Sequence, residues 1–124
     1  MLIGQFSQLS NISVDTLRYY DQIGLLVPER KGNCRNYNQS DLKRLEIIKH
    51  LKDMNFSLDE IKYILQLDRQ IDEGLEDDNL DRDSVLETRG IIQDKYQEIL
   101  EMEKNIQKVK EQLEHILTKI DSTL

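Results

Sequence analysis

An apolar residue returns at every seventh position along the last third of the chain: Val85, Ile92, Ile99, Ile106, Leu113 and Ile120. The companion register, Thr88, Lys95, Met102, Val109, Ile116 and Thr123, is apolar through its middle. Side chains repeating with that period form the seam of a coiled coil, in which each apolar knob needs a facing helix to receive it. A helix from about Arg82 to Asp121 would be roughly 60 Å long at about 1.5 Å per residue, too long for a small neighbouring domain to cover. The pattern predicts that two copies pair through Ile92, Ile99, Met102, Ile106, Val109, Leu113, Ile116 and Ile120. Ile91, Tyr96, Leu100 and Leu117 lie outside the seam and widen its stripe.

With 124 residues in all, the remainder has room for one small core. Ile3, Phe6, Leu9, Ile12, Val14 and Leu17 fall at helical spacings broken near Asn11, a residue type that tolerates the left-handed conformation of a tight turn. Ser13 is placed to cap a second helix, Gly24 to end it, and Pro28 to prevent its continuation. Val27 to Asn38 is polar and rich in Gly, Asn and Arg, which suits a short two-stranded ribbon turning at Gly32-Asn33. Asn38 or Ser40 can start a third helix carrying Leu42, Leu45, Ile48, Leu51 and Met54 on its inner side. Ser57-Leu58-Asp59-Glu60 is a capping box ahead of Ile61, Ile64 and Leu65. Asp72, Glu73, Glu76, Asp77, Asp78, Asp81 and Asp83 surround Gly74 with few apolar anchors and read as a linker. The expected fold is mainly α: a winged helix-turn-helix domain of four helices and a short wing over residues 1–70. An acidic linker over 71–82 and a coiled-coil dimerisation helix over 83–124 follow.

The formal net charge of −7 looks unfavourable for a nucleic-acid binder, because phosphate affinity comes from Lys and Arg displacing counterions. Its distribution is uneven. Residues 1–70 hold 10 basic against 9 acidic side chains, residues 71–124 hold 7 against 15, and residues 18–52 hold 8 against 4. The modest positive surface coincides with the second helix and the wing.

Thr16-Leu17-Arg18-Tyr19-Tyr20-Asp21-Gln22-Ile23-Gly24-Leu25-Leu26-Val27-Pro28, followed by Arg35-Asn36-Tyr37 and by Asn55-Phe56-Ser57-Leu58-Asp59-Glu60-Ile61, resembles the mercury-resistance-regulator (MerR) family of transcription factors. The likeness covers about residues 2–67, and the long helix falls where that family has one. It departs in the wing, where the family commonly has a glycine and an aromatic and this chain has Asn33 and Cys34. The resemblance implies a short-form regulator without a separate effector-binding domain, binding double-stranded promoter DNA as a homodimer. It implies further that an overlong promoter spacer is distorted so that RNA polymerase can engage both elements, at a bending cost of about 1 to 6 kcal/mol. Val14, Asp15 and Thr16, early on the second helix, are expected to face base edges in the major groove. Arg18, Tyr19 and Arg35 are expected on the backbone, with Tyr37 supporting the wing contact and Ser57 opening a helix whose amides can meet a phosphate.

A different class of function, a coiled-coil adaptor with a repurposed helix-turn-helix, is the alternative suggested by the acidic balance. The sequence has no nucleophile beside a base and no phosphate-cradling glycine loop, so no enzymatic activity and no cofactor are expected. His50 and His115 are isolated and the long helix has no cysteine, so no metal site is expected. Cys34, near Lys31 and Arg35, is a candidate thiol sensor. With no apolar run of membrane-spanning length and a single cysteine, the expected location is the cytoplasm.

Overall fold

The computed structural model describes residues 1–74 and 81–124. It comprises two compact units, Met1–Asn79 and Leu80–Leu124. The first contains α1 (Ile3–Ser10), α2 (Val14–Gln22), the antiparallel strands β1 (Glu29–Lys31) and β2 (Cys34–Asn36), α3 (Gln39–Asp53) and α4 (Leu58–Asp72); the second contains α5 (Arg82–Asp121). The fold is mainly helical, with a two-stranded wing and a long last helix.

Local stereochemistry sets where each helix stops. Asn11 adopts φ 60° and ψ 30° and ends α1. The turn after it is closed by Ser7 Oγ donating to the Ile12 carbonyl at 2.6 Å and by the Ile12 amide donating to Ser10 Oγ at 3.3 Å. Ser13 then accepts the Thr16 amide at 3.1 Å and starts α2. At the far end Gly24 takes φ 77°. The Leu25 amide reaches the Tyr20 carbonyl at 2.8 Å and the Gly24 amide reaches Asp21 at 3.1 Å, the paired bonds of a Schellman cap. The end of α3 repeats this chemistry with Asn55 at φ 66°: Phe56 bonds back to Leu51 at 3.1 Å and Asn55 to Lys52 at 3.0 Å.

The starts of α3 and α4 are reciprocal caps. Asn38 Oδ1 accepts the Asp41 amide at 2.9 Å while Asp41 Oδ2 accepts the Asn38 amide at 3.0 Å. Ser57 and Glu60 do the same at 3.1 and 2.8 Å. Burial pushes the Asp41 carboxyl above the usual carboxylate range despite the amide it accepts.

Phe6, Leu17, Tyr20, Leu25, Leu26, Tyr37, Leu45, Ile48, Phe56, Ile61 and Leu65 form the core of the first unit. Each such apolar side chain contributes about 1.5–3 kcal/mol through its removal from water. Two polar ties from α3 fix the helix-turn-helix on this core. Lys49 Nζ donates to the Ser10 carbonyl, left open at the end of α1, and Arg44 Nε donates to the Leu25 carbonyl just after α2 at 3.1 Å.

Two expectations change. Met54 is not on the inner face of α3: it is the C-cap residue and is exposed, because left-handed Asn55 ends the helix before that position can turn inward. The acidic segment expected as linker from residue 71 is helical through Asp72, with Gly74 at φ 67° after the end of α4, and Arg82 already belongs to α5. Glu76, Asp77 and Asp78 lie outside the described residues.

In the second unit α5 runs for 40 residues. Its cap, Asp81, accepts the Ser84 hydroxyl at 2.7 Å and the Asp83 amide at 3.3 Å. Those bonds, the hydroxyl first, hold the Asp81 carboxyl below the usual range. Ile92, Met102, Ile106, Val109, Leu113, Ile116 and Ile120 are exposed along the helix, and Ile99 is half-buried. No helix among the described residues is long and apolar enough to cross a membrane.

Candidate nucleic-acid interface

The second helix has two sharply different sides. Leu17 and Tyr20 are buried, whereas Asp15, Arg18 and Tyr19 are exposed and Val14 and Thr16 are intermediate. An α-helix has about 3.6 residues per turn, so Leu17 and Tyr20 share one side, and burying them turns Asp15, Arg18 and Tyr19 outward. Thr16 is less free than its neighbours, since Ser13 Oγ donates to its hydroxyl at 2.8 Å. Arg18 lies 3.9 Å from Asp15 in an open i,i+3 pair. Such surface pairs contribute about 0–1 kcal/mol, little for a competing phosphate to overcome. Tyr19 tilts at 47° to Tyr20, with ring centroids 6.4 Å apart.

The wing pairs Glu29 with Asn36, Arg30 with Arg35, and Lys31 with Cys34 around a two-residue turn. Gly32, at φ 64°, supplies the positive φ that the first position of such a hairpin turn favours. Arg35 is half-buried and gives its Nε to Asp21 Oδ2 at 2.6 Å. Its Nη end is therefore the part that remains to meet an anion. Cys34 is a free, exposed thiol at the tip.

Tyr37 does not join that surface. Its side chain is among the most deeply buried in the molecule, and its ring stacks on Phe6. Its backbone pairs with Met1, the Tyr37 amide donating to the Met1 carbonyl at 2.8 Å. Tyr37, expected beside Arg35 on the DNA-binding surface, is a core residue instead. It follows the last residue of a three-residue strand, and the chain there bends into the core. Ser57 is committed to capping: its hydroxyl accepts the Glu60 amide and its own amide is taken by the Glu60 carboxylate. Within that first turn, the amides of Leu58 and Asp59 are those the capping box leaves over.

Sequence reasoning missed Asp21, Arg30, Arg44 and Lys49 as the groups that fix the site. One signal for Asp21 was available. A turn at Gly32-Asn33 puts Arg30 opposite Arg35, and two cations so placed call for an acid nearby. The lysine and arginine ties are made to backbone carbonyls and leave no trace in residue pattern.

A helix-turn-helix with a two-stranded wing after its second helix places the first unit in the winged helix-turn-helix class. The family profile described as MerR HTH family regulatory protein matches residues 1–68. The regulator ZntR of Escherichia coli (strain K12) is 31% identical over 99 residues, covering 78% of this chain and 64% of that protein. HmrR of Rhizobium leguminosarum bv. viciae is 31% identical over 118 residues, covering 94% of this chain and 84% of that one. Among solved structures, EcmrR in a cryo-EM structure of an EcmrR–DNA complex matches with 26% identity and a TM-score of 0.51, over 93% of this chain and 39% of that one. A MerR-family regulator from Bacillus cereus matches with 27% identity and a TM-score of 0.51, over 96% and 81%. The chain belongs to the MerR helix-turn-helix family of regulatory proteins. It spans 64% of the length of the ZntR it resembles.

Proposed function

We propose that this chain is a transcriptional regulator that binds double-stranded promoter DNA as a homodimer and distorts an overlong spacer for RNA polymerase. The observation that carries the reading is the outward side of α2. It presents Asp15, Arg18 and Tyr19 to solvent, on a helix fixed at both ends by caps and joined through Asp21 to the wing. Val14, Asp15 and Thr16 are the candidates for base edges. Arg18, Tyr19 and Arg35 are the candidates for phosphates, with the α4 start at Ser57 at the margin. The likeness to EcmrR in its DNA complex supports the DNA-binding part. The exposed apolar row on α5, from Ile92 to Ile120, supports pairing of two copies.

Titration of the full chain against a duplex from its own upstream region, at several salt concentrations, tests this. Specific binding with a steep salt dependence is the expected result. No specific binding at low salt would replace the reading with that of a coiled-coil interaction protein, for which the 7 basic against 15 acidic residues of 71–124 argue. Circular permutation of the bound site in a gel would report the distortion as a position-dependent mobility.

A further inference from the structure

The wing carries two cations directly across from each other. Arg30 of β1 and Arg35 of β2 are register partners, and like charges so placed repel. Asp21, in the last turn of α2, takes both on a single oxygen: Arg30 Nη2 donates to Oδ2 at 2.8 Å and Arg35 Nε donates to the same atom at 2.6 Å. The two donor nitrogens are therefore no farther apart than those two bonds laid end to end. The Asp21 side chain is only 7% exposed, while those of Arg30 and Arg35 retain 47% and 29%. A nearly buried carboxylate thus holds two partly exposed arginine side chains side by side, and the three groups together carry one net positive charge.

We propose that Arg30 and Arg35 form a two-arginine clamp for one phosphodiester of the DNA backbone, with Asp21 as the positioning residue that holds both. The proposal rests on the DNA-binding reading above and adds to it Arg30 as a contact and Asp21 as the group that aims the wing. Guanidinium forks suit this task, since each offers several donors in a plane and keeps an unused edge after one donor is engaged. Binding the arginines through one edge each fixes their other edges before DNA arrives, so less side-chain freedom is lost on contact. The arrangement also makes a prediction of sign. Simple charge counting says that removing an anion from a DNA-facing surface strengthens binding. Positioning says the reverse, because without Asp21 the cross-strand arginines repel and the wing loses its tie to α2.

The test is a fluorescence-anisotropy titration of the full chain with its upstream duplex from about 50 to 200 mM salt. Wild type, Arg30→Gln, Arg30→Lys, Asp21→Asn and Asp21→Glu are compared, with helix content checked by circular dichroism. In Arg30→Gln the slope of log K against log salt is expected to shrink by about 0.9, and affinity near 0.1 M salt to fall roughly eightfold, as one lost phosphate contact requires. Arg30→Lys keeps the slope. Asp21→Asn weakens binding although it removes a negative charge, and Asp21→Glu restores part of the loss. An unchanged slope in Arg30→Gln, or tighter binding in a folded Asp21→Asn, overturns the clamp while leaving DNA binding in place. Absence of salt-dependent binding by the wild type removes the functional reading and the clamp with it.

Discussion

Phe6 and Tyr37 stack with ring centroids 4.3 Å apart and planes 12° from parallel, and the Tyr37 hydroxyl has no hydrogen-bond partner among the described residues. The ring holds the end of the wing to α1; the hydroxyl is a cost. Tyr37→Phe keeps the stack and removes a buried polar group, so denaturant unfolding is expected to show equal or greater stability, by up to about 1 kcal/mol. Tyr37→Ala is expected to lose about 3–5 kcal/mol. Burial pushes the Tyr37 phenol above its ordinary value. The native state therefore holds this proton more tightly than the unfolded chain. Stability falls as pH rises past the ordinary tyrosine range, and Tyr37→Phe should remove that part of the alkaline loss.

Gly24→Ala tests the stop after α2. A Cβ there meets only the flexible end of Lys62 at 3.4 Å, an ordinary contact, so the strain comes from φ 77° alone. Thermal denaturation should register a loss of roughly 1–2 kcal/mol. No measurable change would mean that the backbone relaxes out of the left-handed region.

Arg18→Ala should weaken binding to every duplex alike, specific or not, while the chain remains paired. Its expected size is near that of one phosphate contact, roughly eightfold at 0.1 M salt. Affinity that drops for one sequence only would reassign Arg18 to base reading.

Ile106 is 67% exposed, in the middle of the α5 row. Ile106→Asp is expected to give a species of one-chain mass in sedimentation at concentrations where the wild type sediments as two. A mutant that still sediments as a pair would move the seam to another side of the helix.

Cys34 is exposed beside the turn and lies opposite Lys31. Replacement by serine should leave DNA affinity within about twofold, as for most surface changes away from structural features. If the variant instead loses a response to peroxide or an aldehyde that the wild type has, the thiol is a sensor.

Much of the fold was legible because its signals are local. Asn11, Ser13, Gly24 and Ser57 specify starts and stops through their own backbone or side-chain chemistry, and α5 states its period within one element. The site was only partly legible. Arg18 and Tyr19 could be placed outward because Leu17 and Tyr20 beside them read as core. Tyr37 could not be placed by alternation, since three-residue strands are too short to fix which face the next residue takes. Met54 was misplaced because nothing in the apolar spacing marks Asn55 as a left-handed stop. The tie from Asp21 to the wing joins residues 9 and 14 positions away, a distance that periodicity does not register.

The uncovered apolar row along α5 has a consequence for dosage. If two chains must meet before both half-sites can be gripped, then below the pairing constant the active species grows with the square of chain concentration. A doubling of expression would then raise promoter occupancy by as much as fourfold while sites are scarce in protein. The long helix would thus make the regulator respond steeply to its own abundance, with no ligand involved.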